Sequence, residues 1–116
     1  MNPYEQYEEA RVLINQGQYE EAAALLEQNI KANPHFKELD LLGECFIHLG
    51  RLLEAIVPLA AATTLNNGVR APSLLAEVFL LLGEMHDADQ MTELALSRDP
   101  KNRKSLQVKE QVAKAS

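Results

Sequence analysis

An all-α stack of helical hairpins is the fold class this sequence predicts, and three observations predict it. Glycines recur at Gly17, Gly50 and Gly83, 33 residues apart each time. Five further columns keep the same register. They are the small Ala10, Gly43 and Ala76, the bulky Leu13, Phe46 and Phe79, the column Tyr19, Leu52 and Met85, the alanines Ala22, Ala55 and Ala88, and the unit ends Pro34, Asn67 and Pro100. Between the glycines the apolar residues fall at helical spacing. A period of this size marks a repeat array, in which each unit buries its apolar face only against the next.

The spacing predicts paired helices over about 3–16 and 19–32, 36–49 and 52–65, and 71–82 and 86–98, in units of about 3–35, 36–68 and 69–101. In the first unit Leu13 precedes the turn Gln16-Gly17-Gln18, and Ala22, Ala23, Leu25, Leu26 and Ile30 follow at helical intervals. Each glycine stands where a helix must stop, because glycine takes the left-handed conformation without the steric cost of a Cβ. The second helix of the middle unit carries Pro58 in its interior. There proline removes one backbone hydrogen bond and is expected to cost about 3 kcal/mol or to bend the helix. Pro72 fits the fifth helix only in its first turn, which would leave Arg70 before the helix. The sixth opens on His86-Asp87-Ala88-Asp89, acidic side chains that suit a helix N-terminus. Residues 103–115 place Leu106, Val108, Val112 and Ala113 among Lys104, Gln107, Lys109, Glu110 and Lys114. This pattern is expected to form a capping helix over the last apolar face of the stack.

The length, 116 residues, allows a single domain over 1–116. Hydrophobic residues at 47% and charged residues at 24% are the balance of a chain that folds in water. The net charge of -6 opposes a phosphate backbone, so nucleic acid is not the expected partner and a protein or peptide is. A lone cysteine forms no internal disulfide, and Glu5, Glu8, Glu9, Glu20 and Glu21 leave no apolar signal segment near the start. A cytoplasmic address is expected, with no membrane insertion. The sequence holds no phosphate loop, paired-histidine helix, nucleophile elbow or CxxC, so no enzyme, cofactor or metal is expected. Cys45 and His48 lie three apart, with Glu44 four from His48, but zinc takes four ligands and this set is incomplete. Cys45 shares a column with Val12 and Val78 and reads as a buried apolar side chain.

These features together resemble the tetratricopeptide repeat over residues 3–100. Leu42-Gly43, Phe46, Gly50, Ala55, Leu59 and Ala62 form the fullest unit; Leu75-Ala76, Phe79, Gly83, Ala88, Ala95 and Pro100 form the next. The first unit departs from the pattern, with Glu9 in place of leucine and Asn29 in place of alanine, as expected where an end unit faces water. The resemblance implies a right-handed superhelical α-solenoid of three helix-turn-helix units with a capping helix. It also implies a concave groove lined by the first helix of each unit. The groove columns it assigns are Tyr4, Lys37 and Arg70, then Tyr7, Asp40 and Ser73, then Arg11, Glu44 and Glu77, then Ile14, Ile47 and Leu80, with Asn15 and His48 beside the last.

The function this implies is a non-enzymatic scaffold that holds a peptide or protein segment. Ile14, Ile47 and Leu80 would receive its apolar anchors, Tyr4 and Tyr7 would add contact area, and Asp40, Glu44 and Glu77 would pair with its basic groups. One branch of the family grips the C-terminal carboxylate of chaperones with lysine, asparagine and arginine. Here Tyr7, Arg11, Leu41 and Leu74 stand at such positions, so that specificity is not expected despite Lys37 and Arg70. Charge is uneven: residues 1–32 sum to -4, 33–97 to -6 and 98–116 to +4. A basic end that attracts an acidic one would make a self-assembling, homo-oligomeric array. A third expectation is a small acidic chaperone of a bacterial secretion system, which the family also contains.

Overall fold

The structure is a computed structural model that describes residues 2–115. The described chain is helical, in the order α1 (Pro3–Asn15), α2 (Tyr19–Ala32), α3 (Phe36–His48), α4 (Leu52–Leu65), α5 (Arg70–Leu81), α6 (Met85–Arg98) and α7 (Arg103–Ala115). Each helix packs on the next in sequence, and α7 lies against both α5 and α6. The result is an elongated stack of three hairpins closed by a seventh helix, 48 × 26 × 21 Å.

The three glycines end α1, α3 and α5 in the same way. Gly17, Gly50 and Gly83 have φ of 77°, 75° and 80°. The residue after each glycine donates its N–H five residues back, Gln18 to Leu13 and Arg51 to Phe46 at 2.8 Å and Glu84 to Phe79 at 2.9 Å. These bonds satisfy carbonyls that a helix end leaves orphaned and turn the chain sharply into the second helix. At the other ends, Asn2 caps α1 through its side chain, with Pro3 in the first turn, and His35 caps α3.

Two expectations about prolines meet the structure differently. α4 runs continuously through Pro58, which is buried. Pro72 does sit in the first turn of α5, but that helix begins at Arg70, so Arg70 is its first residue rather than part of the preceding loop. A proline is tolerated in any of the first positions whose N–H has no helical partner, which allows the earlier start.

The core follows the columns. Ala10, Gly43 and Ala76 are buried, as are Leu26, Leu59, Cys45 and Val78. Val12, of the same column as Cys45 and Val78, is 47% exposed because no described helix precedes α1 to cover it. Asn29 corrects the end-unit reading. It is 4% exposed and donates a short hydrogen bond to Oε1 of Glu38, which makes it a polar tie between α2 and α3 rather than a water-facing position. Val108 of α7 is buried over Ala76 and Ala88, while Leu106, expected on the covering side, is exposed. Arg98 donates to the carbonyls of Gly68 at 2.9 Å, Thr63 at 3.2 Å and Asn66 at 3.3 Å, fastening the end of α6 to the α4–α5 loop.

Candidate peptide-binding groove

The first helices α1, α3 and α5 bring Tyr7, Arg11, Lys37, Asp40 and Arg70 to one cleft of about 490 Å³, walled by Phe36, Leu41 and Val69 and by the Asn66–Gly68 turn. A second cleft of about 370 Å³ shares Tyr7, Arg11 and Lys37 and adds Tyr4, Glu8, His35 and Glu38. Five of the fourteen sequence-assigned groove residues therefore meet in the first cleft, and Tyr4 joins three of them in the second. The walls Phe36 and Val69 were not singled out by sequence. Phe36 opens α3 and Val69 caps α5, and since they lie 33 residues apart the repeat period itself could have paired them.

The remaining groove residues lie elsewhere on these helices. Ile14, Ile47 and Leu80 are half-buried, the first two packed against the central core and Leu80 against the cluster under α7. The stripe thus has a packing role of its own. Ser73 is buried and its hydroxyl donates to the Arg70 carbonyl at 2.9 Å, which directs it to its own helix. His48 stacks flat on Tyr19, with ring centroids 4.3 Å apart, and Asn15 is exposed.

The acidic residues differ from the expectation that they await a partner's basic groups. Glu44 meets Arg70 at 2.5 Å and Glu77 meets Lys104 at 2.6 Å, each bridge joining two helices of the stack. Asp40 alone of the three makes no such bridge. Burial pushes its carboxyl up to about 6, with the nearby Arg70 pulling it down and Glu44 pushing it further up. Its Oδ1 is buried with no hydrogen-bond partner, as is Oε2 of Glu38. Arg11 sits 5.9 Å from the Tyr7 ring centroid and 3.7 Å from Glu8.

Cys45 is fully buried, and burial pushes its thiol up to about 12, so it stays protonated and inert at neutral pH. His48 is exposed and stacked on Tyr19. Among the described residues no group of three metal-ligating side chains assembles.

Three helical hairpins in one register under a covering helix define an α-solenoid of helix-turn-helix repeats. These repeats are similar to tetratricopeptide repeats. The model of that family matches residues 13–63, and the described chain throughout has the fold of its domains. No curated protein matches in sequence. Among solved structures, the first tetratricopeptide domain of Spaghetti (RPAP3), bound to an HSP90 peptide, superposes with a TM-score of 0.93 at 19% identity. It covers 97% of this chain and 91% of that one. The second tetratricopeptide domain of human RPAP3, in complex with an HSP70 peptide, gives 0.89 at 18% identity over 97% and 98%. The Yersinia enterocolitica type III secretion chaperone SycD, with a peptide of the translocator YopD, gives 0.83 at 20% identity over 96% and 86%. At these identities the likeness establishes the fold. No described helix is long and apolar enough to cross a membrane.

Proposed function

We propose that this chain is a non-enzymatic interaction module that holds a segment of another polypeptide against α1, α3 and α5, in the cytoplasm. The observation that carries the reading is the 490 Å³ cleft, in which half-buried Tyr7 and Leu41 stand beside exposed Arg11, Lys37 and Arg70. Apolar walls with a few charged groups at the rim are the composition of a recognition site. The peptides carried by the similar structures support a segment as the occupant. A chaperone for a secreted polypeptide is a special case of the same reading.

Head-to-tail assembly through the basic end has less support. Arg98 is bound to three carbonyls, Lys104 to Glu77 and Lys109 to Glu93, so much of that positive charge is used within the chain. Tyr7→Ala tests the peptide-holding reading better than a change at Ile47, which belongs to the core. The variant is expected to keep its helical circular dichroism and to lose the partner captured from source cells by the wild type. Equal capture by the two proteins would remove the cleft from the function.

A further inference from the structure

Successive units are bridged by a repeated charge pair. Glu44 of α3 meets Arg70 of α5, 26 residues on, and Glu77 of α5 meets Lys104 of α7, 27 residues on. The first-unit member of the Glu44 and Glu77 column is Arg11, and the residue 26 further along is Lys37. At this step both positions are cations. Arg11 reaches only as far as Glu8 on its own helix, at 3.7 Å, and no acid pairs with Lys37 among the described residues. Arg11 and Lys37 line the same two clefts.

A second observation falls in the larger of these clefts. Asp40 lines it, is 7% exposed, and its Oδ1 lacks a hydrogen-bond partner. A buried oxygen without a donor is costly, and the exposed Arg11 and Lys37 hold no acid between them where the later steps hold one. The two deficits ask for different things: an anionic acceptor between Arg11 and Lys37, and a hydrogen-bond donor at Asp40. A free anion would satisfy the first and be repelled by the second. A partner's lysine would satisfy the second and be repelled by the first. An acidic residue inside a polypeptide carries both groups, a side-chain carboxylate and an adjacent main-chain N–H.

Building on the peptide-holding reading, we propose that this cleft takes an internal Asp or Glu of the bound segment. Its carboxylate lies between Arg11 and Lys37 and a neighbouring main-chain N–H is donated to Asp40. The ligand completes at the first step the charge bridge that the chain builds for itself at the other two.

The test uses the full chain and an arrayed library of N-acetylated, C-amidated decapeptides, read by fluorescence polarisation. Retained peptides are expected to share Asp or Glu at one internal position, and replacing that residue by Asn or Gln should weaken binding about tenfold or more. Arg11→Glu gives the first step the same Glu–cation pair as the others. This variant should remain folded by circular dichroism and should lose the acidic preference. Retained peptides with no acidic preference, or a preference that survives Arg11→Glu, would overturn the inference and leave the peptide-holding reading standing. Binding seen only when the same peptides are made with a free C-terminal carboxylate would also overturn it and leave the peptide-holding reading standing. Retention of no peptide in either form would overturn both.

Discussion

Among the glycines, Gly43 stands closest to a neighbouring side chain, and Gly43→Ala measures how close. An ideal Cβ at residue 43 would lie 2.5 Å from Cδ2 of Leu59, closer still to its Cγ, and 3.1 Å from its Cδ1. Carbon atoms in contact prefer about 3.5–4.0 Å, so Leu59 would have to retreat by about 1 Å. It is 0% exposed and lies within the core cluster, where side chains are close-packed. Two effects compete. Alanine is worth about 1 kcal/mol over glycine in a helix interior. Overpacking a filled core costs about 1–3 kcal/mol. The contact with Cγ, next to the backbone and unable to swing away, makes overpacking the larger effect. The expected outcome is a net loss of about 1 kcal/mol, or roughly 4 °C in melting temperature for a chain of this size. Urea and thermal denaturation followed by circular dichroism read it directly. A cycle with Leu59→Val sharpens the test, because removing a methylene opens the space the new methyl needs. The double variant should then be more stable than the sum of the two single changes predicts, by about 1 kcal/mol. A stabilised Gly43→Ala, or energies that add within about 0.3–0.5 kcal/mol, would refute the close approach of α3 and α4.

Asp40→Asn should change stability in a pH-dependent way. The native carboxyl titrates at about 6 against an ordinary value of 3.8, so between these values the folded chain binds the proton that the unfolded chain has lost. Stability therefore falls as pH rises from about 4 to 6, and the full cost of the buried carboxylate is present above 6. Allowing for screening through the open cleft by Arg11, Lys37 and Arg70, Asn should stabilise by about 1–2 kcal/mol at pH 7.5 and by nothing below pH 4. Denaturation at both pH values checks this, and an advantage that persists at low pH would contradict it. Arg98→Met keeps the aliphatic stem but removes three hydrogen bonds, one to the end of α4 and two to the α4–α5 loop, for an expected loss of about 1–3 kcal/mol. Hydrogen exchange should show the loss first at amides near Gly68, and unchanged protection there would argue against the fastening role.

The fold was legible because its constraints repeat. A left-handed glycine at each turn and a small residue at each helix crossing are demanded in every unit by backbone sterics and close packing, so they surface as columns at a fixed period. Asn29 and Arg98 escaped because their partners, Glu38 and the carbonyls of Thr63, Asn66 and Gly68, belong to the neighbouring unit or a loop, where no period points. The acids of the groove escaped in part. Their column was visible, but a column shows which residues are equivalent and not which other column each one touches. Once the contacts of Glu44 with Arg70 and of Glu77 with Lys104 are known, the repeat becomes its own control. Two steps of the same stack close with a bridge, which shows that the geometry permits one. The third step offers Arg11 and Lys37 to the same geometry and adds a buried Asp40 that nothing satisfies. A general cause such as weak surface selection would leave the step merely unpaired and solvated. It gives no reason for an orphaned carboxyl to lie in the same cleft, and that coincidence is the part a bound acidic residue explains.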